Sequence, residues 1–264
     1  MELLQDNLVA WKGALVLGWL ALLFAAERLA PAARPPVSPP DAPAGGLWRV
    51  ARNLGLLLLN AGLSPLIVLP LSLWAASHHL GWRPEWWSGW TGLALDILLL
   101  DFLIYWWHLA NHKVALLWRF HEVHHLDRFL DSTTALRFHF GEVLLSAVAR
   151  AAMVITLDIP FSSIVVFEVL LAAGTIFHHS NLRLPPRLEA AMSRLVITPS
   201  IHWVHHHARQ ADTDSNYGTL FSFWDRLFGS RSPTPRSLDM TIGVEQRPER
   251  RFLQLLARPF WGER

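Results

Sequence analysis

The chain has 264 residues, 52% of them hydrophobic and 17% charged, a composition too apolar for a soluble domain of this length and indicative of a membrane protein. It contains no cysteine, which excludes a disulfide framework, a thiolate metal site and a cysteine-held iron–sulfur cluster, so any metal must be held by histidine and carboxylate. The pI near 9.5 does not imply nucleic acid, because the arginines are scattered between apolar stretches and form no continuous basic face; anionic lipid headgroups are the expected partners.

Residues 11–30 form an almost unbroken apolar run, long enough to cross a hydrocarbon core that needs about 20 residues. Glu2 and Asp6 argue against a cleaved signal peptide. The segment 31–46 carries Pro35, Pro36, Pro39, Pro40 and Pro43 and reads as a linker. A second span is predicted over 54–76, kinked at Pro65 and Pro70, and a third over 90–107. Arg28, Arg34, Arg49 and Arg52 lie between the first and second spans, and Lys113, Arg119, Arg128 and Arg137 follow the third. The positive-inside rule then places both regions in the cytosol, consistent with a multi-pass protein of a bacterial inner membrane. Apolar runs at 143–157 and 160–177, separated by Asp158 and Pro160, read as a hairpin that returns the chain to the same surface. Within it Arg150 and Glu168 lie at nearly equal depth, and the expectation is either that they pair or that each faces a polar cavity. The predicted fold is all-α: a bundle of about four membrane helices, or three plus a hairpin, under a cytosolic helical cap. Residues 1–53 would form an amino-terminal helix and linker, and 54–264 the membrane domain with its cap.

The cap is expected to hold metal. His108 and His112 stand four apart, while His121, His124, His125 and His202, His205, His206 repeat one five-residue pattern in distant parts of the chain. Offsets of three and four place side chains on one helix face, so each group can aim imidazoles at a common point. Neutral imidazole suits iron, zinc, copper or nickel, and eight such ligands plus one more suit two ions. His178 and His179 follow the hairpin, where at least one could complete the coordination. His139, with Glu142 or Arg137 as a local partner, reads as structural or as a support to a ligand. His207 points off the shared face, and His78 and His79 belong to the opposite membrane side.

Asp96 and Asp101 lie inside the third span, where an ionisable group suggests function. Asp101 is seven residues before His108, about 10 Å along a helix, too far to ligate the same ion. It is expected to accept a histidine N–H from another motif or to bond a neighbouring helix. The segments 214–218 and 224–229 read as turn and packing signals that fold the tail beneath the metal centre.

In order, HxxxH, HxxHH, Arg137-x-His-x-x-Glu142, Phe177-His-His-Ser-Asn181, a second HxxHH, Asp214-Ser-Asn-Tyr-Gly218 and Trp224-Asp-Arg-Leu-Phe-Gly229 resemble the fatty acid hydroxylase/sterol desaturase superfamily of membrane di-iron enzymes. Leu109 and Phe140 depart from the arginine and proline of many members. The resemblance implies two irons facing a lipid substrate, with zinc able to substitute in purified protein, and dioxygen as co-substrate. It selects His179 from the His178–His179 pair, and Asn181 and Asp214 as additional candidate ligands or supports.

The expected function is oxygen-dependent hydroxylation or desaturation of an unactivated lipid C–H bond, as in a sterol or fatty acyl chain. With no GxGxxG fingerprint and no cysteine, the electrons must come from a separate protein. Two alternatives share the histidines: a membrane metal-binding or transfer protein without redox chemistry, and a zinc-dependent lipid hydrolase.

Overall fold

A computed structural model of the chain describes residues 2–35, 46–78 and 80–261. Pro36, Pro39, Pro40, Pro43 and His79 lie outside the described residues. Those described are helical, with isolated bridges in place of strands. Five helical stretches are long and apolar enough to cross a membrane, with apolar windows at Ala10–Leu29, Gly46–Ala76, Gly89–Lys113, Phe140–Leu157 and Phe161–His179.

The first stretch belongs to α1 (Glu2–Leu29), which packs on α7 (Phe161–His179). The second is α2 (Gly46–Leu63) joined to α3 (Leu69–Ala76) through a π-helical turn at Ser64–Val68. Pro65 lies in that turn: a proline has no N–H to give the preceding turn, and the wider turn accommodates it without ending the helix. α4 (Gly89–Lys113) gives way at the single extended residue Val114 to α5 (Ala115–His125). α6 (Phe140–Leu157) starts where the His139 side chain accepts from the Gly141 N–H, and it turns into α7 through Asp158 at φ 56°. The apolar core between these helices includes Leu100, Ala151, Val154, Ile164 and Phe167.

The ends of α1, α4 and α7 and the starts of α2 and α6 share one side of the bundle. Short helices cover it, α8 (Pro186–Met192), α9 (Pro199–His205), α10 (Gln210–Thr213) and α12 (Phe252–Ala257), while α11 (Phe223–Leu227) lies against the middle of α4. The second helical stretch starts eight residues before the predicted Leu54, and the third runs six beyond the predicted Trp107. Composition places Arg49 and Arg52 outside the bundle, but both are buried. Arg49 pairs with Asp127 at 2.8 Å and with Asp131, while Arg52 and Arg137 share Glu249 at 2.5 and 2.9 Å. Carboxylates contributed by the cap thus let a charged helix end sit inside the protein.

The hairpin charges also differ from expectation. Glu168 pairs with Lys12 of α1, and no ion pair joins it to Arg150 among the described residues. The packing of α1 onto α7 brings in a cation that the hairpin alone does not reveal.

Candidate metal centre

Nine imidazoles meet above the bundle in two groups. His108, His112, His121, His125 and His205 form one, and His124, His179, His202 and His206 the other; in each group one ring nitrogen per residue lies within 4.8 Å of all the others. The two HxxHH elements divide between the groups in opposite proportions. His121 and His125 go to the first group and His124 to the second, whereas His202 and His206 go to the second and His205 to the first. Helix geometry explains the division: positions i and i+4 project some 40° apart, but i+3 and i+4 are about 100° apart. A single motif therefore serves two foci, not the common point expected from its spacing.

Five of the rings are fixed by an oxygen at Nδ1. His108 faces the Tyr217 carbonyl at 2.8 Å, His205 that of Ser215 at 2.6 Å, His179 that of Thr175 at 2.7 Å and His124 that of Arg137 at 3.3 Å. His121 faces the Glu142 carboxylate at 2.7 Å. A carbonyl can only accept, so Nδ1 carries the proton and Nε2 presents a bare lone pair. Yet the Nε2 atoms of His124 and His179 stand 3.0 Å apart, those of His179 and His202 2.9 Å, and those of His202 and His206 3.2 Å. In the other group the Nε2 atoms of His112, His121, His125 and His205 are buried without a hydrogen-bond partner.

Protonation does not relieve this crowding. Burial, reinforced by the neighbouring imidazoles, pushes His124, His125, His202 and His206 well below the ordinary histidine value, so these rings are neutral at pH 7. Burial likewise lowers His205. His124 and His179, both with Nδ1 held by a carbonyl, therefore face each other with bare Nε2 lone pairs at 3.0 Å, which repel in a dry interior, and a cation between them removes the repulsion. Ligands at right angles on a metal with bonds of about 2.1 Å lie about 3 Å apart, the spacing found in the four-histidine group. The donor set fits metal.

The model of the fatty acid hydroxylase family matches residues 93–230, the stretch holding all nine histidines. The chain belongs to this family. Ornithine lipid hydroxylase OlsE of Rhizobium tropici is 27% identical over 74% of this chain and 58% of its own length. Alkylglycerol monooxygenase of Danio rerio is 31% identical over 61% and 34% respectively, and cholesterol 25-hydroxylase of Rattus norvegicus 28% over 67% and 60%. The chain thus spans between about a third and three fifths of the length of these relatives. No solved structure matches it.

In this member of the fatty acid hydroxylase family the other candidate residues lie outside the two groups. His178 is buried with its ring 4.0 Å from that of His202, but it bonds the Thr219 backbone and is in neither group. His139 caps α6 and meets the Leu256 carbonyl at 3.0 Å, so both its nitrogens are engaged in structure. Asn181 bonds Ala33 through both side-chain atoms, at 2.9 and 2.8 Å, tying the end of α1 to the end of α7. Asp214 holds Lys113 at 2.9 Å and lies 3.7 Å from His112.

Asp101 accepts no histidine N–H. It takes the backbone N–H groups of Leu220 and Phe221, at 3.0 and 3.1 Å, and the Trp224 indole at 2.9 Å. Its span gives no hint of these partners, which arrive from more than a hundred residues downstream. Asp96 serves the opposite end of the bundle, accepting from Arg83, Trp87 and Ser163. His207 points away to Asp212 at 2.8 Å, and His78 is exposed.

Sequence reasoning did not identify the carbonyls of Ser215, Tyr217 and Thr175, since a backbone oxygen leaves no mark in residue identity. Glu122 offered a signal, being an acid within the first HxxHH. It is buried between Arg247 and Arg258 at 2.7 and 2.9 Å, which anchors the carboxyl-terminal segment to α5.

Proposed function

We propose that this protein is an oxygen-dependent lipid hydroxylase, with desaturation as the sister outcome, built around two iron ions. The supporting observation is the convergence of nine imidazoles, seven of them buried, in two groups, with an oxygen holding Nδ1 of five of the rings. The first ion would be held by His108, His112, His121, His125 and His205, the second by His124, His179, His202 and His206. Iron in these positions would supply, with dioxygen, the oxidising power needed to break an unactivated C–H bond.

The protein's own groups supply the rest. Burial keeps water out, and Glu142 accepts from His121 Nδ1 and so turns its Nε2 toward the proposed ion. Nine nitrogen donors exceed the three that catalytic zinc usually takes, which disfavours the hydrolase. Convergence of all nine in one place disfavours a transfer pathway, which needs ligands spread along a route.

The substrate is proposed to be a membrane lipid, as the names of the relatives suggest for their own reactions. The electrons come from a separate protein, and the positively charged flanks of the spans support a cytosolic metal centre in a bacterial inner membrane. The test is to express the wild type and His124→Ala with a reductase partner and compare lipid extracts by mass spectrometry. The wild type should give oxygen-dependent products with one added oxygen or two fewer hydrogens. Identical extracts under adequate reduction would reject the reading.

A further inference from the structure

The cap does not rest wholly above the membrane bundle. Asp101 is the middle residue of α4, twelve positions from either end and hence about 18 Å from each. α4 itself is about 37 Å long, more than the ~30 Å of a hydrocarbon core, so its midpoint lies within the lipid slab. At that point Asp101 holds Leu220, Phe221 and Trp224. On the other flank Leu220 fills the space beside Gly174 of α7, where an added Cβ would come within 2.7 Å of it. Residues 218–228 therefore descend between α4 and α7 instead of crossing over their ends.

Irregular backbone at membrane depth needs its polar groups satisfied by protein. Asp101 meets this need for two N–H groups, and Asp225 meets it for those of Tyr217 and Gly218 at 2.7 and 3.0 Å. Leu195 accepts from Ser222 and Leu220 from Ile197, which closes the segment on itself. Its outer side is apolar and open: Leu227 is 66% and Phe228 40% exposed. Phe228 packs 5.1 Å from Trp106, itself 41% exposed on α4, so this surface continues the outward face of a membrane span. Arg194 and Arg226 are exposed at its rim, joined where Arg226 donates to the Arg194 carbonyl at 2.5 Å, and Arg187 of α8 is also exposed.

We propose that residues 218–228, with Leu195 beside them, form a re-entrant wedge seated in the acyl region of the leaflet on the histidine-bearing side, with Arg187, Arg194 and Arg226 engaging phosphates of anionic lipids. Continuity with the face of α4 identifies hydrocarbon as the occupant of the apolar surface, and the arginine rim complements an anionic headgroup layer.

The absence of native cysteine permits a direct test. The full chain carrying Leu227→Cys, or Glu245→Cys at an exposed position in the irregular stretch before α12, is labelled with an environment-sensitive fluorophore and reconstituted in vesicles of phosphatidylcholine and phosphatidylglycerol. The probe at 227 should be quenched several-fold more by acyl-chain nitroxide lipid than by aqueous iodide, and the probe at 245 should show the reverse. Equal iodide quenching at both positions would overturn the wedge. For the rim, phosphatidylglycerol retained after detergent extraction should fall several-fold when Arg187, Arg194 and Arg226 are all changed to Gln. Unchanged retention would overturn that part. Neither readout depends on metal or turnover.

Discussion

The imidazoles of His125 and His206 stack with centroids 4.3 Å apart and planes 19° from parallel, although the two rings belong to different histidine groups. Each is the last residue of an HxxHH element, so the contact joins the two motifs and the two foci at once. The two groups are therefore adjacent, and because they share no histidine the proposed ions can be tested one at a time. His125→Ala should lower bound metal from about two ions per chain to about one, and His206→Ala should do the same at the other focus. Metal analysis of each purified variant, with the double variant binding almost none, checks this. A variant of either kind that retained both ions would refute the assignment of foci.

Glu142 holds His121 without belonging to either group. Glu142→Gln keeps the shape and an acceptor but removes the charge, and should weaken metal binding at the five-histidine focus by roughly 10–100-fold. Competition against a chelator should resolve one weakened and one unchanged ion.

Arg49 is buried against Asp127 and Asp131 where α2 meets the cap. Arg49→Leu leaves the buried Asp127 carboxylate without its ion-pair partner, while Asp131 keeps Arg28 at 3.5 Å, and should destabilise the protein by about 3–5 kcal/mol. Replacing Arg49 and Asp127 together by apolar residues should cost less than Arg49→Leu alone. Thermal unfolding in detergent distinguishes these outcomes.

Lys12 and Glu168 join α1 to α7 through charges inside membrane spans. Lys12→Ala leaves the Glu168 carboxylate without its ion-pair partner inside a membrane span and should cost about 2.5–3.5 kcal/mol. Exchanging the charges, with Lys12→Glu and Glu168→Lys in one chain, should recover most of the stability lost in either reversal alone. Exchanging Arg150 and Glu168 should recover less, because Arg150 lies beyond ion-pair distance of Glu168 and is coupled to it only through a longer-range attraction.

The sequence makes the helical class, the hairpin turn at Asp158 and the nine converging histidines legible, because each depends on local periodicity or on residue type at fixed spacing. The division of each HxxHH was implicit in the 100° step between adjacent helical positions. The task of Asp101 was not, since its partners are backbone N–H groups that arrive long after α4 has ended. For the same reason Arg49 and Arg52 resemble ordinary flanking charges until the cap supplies Asp127, Asp131 and Glu249.

The carbonyls of Ser215 and Tyr217, which orient His205 and His108, impose an order on biogenesis. A nascent chain that has just emerged through α5 displays His108, His112, His121, His124 and His125 with none of the downstream rings or carbonyls present. On the proposed assignment a cation bound at that stage would be held by an incomplete chelate, open to exchange. Both groups are then complete only once the ribosome has passed Tyr217 and α9 has docked, so selective loading would be a late maturation event that follows membrane insertion.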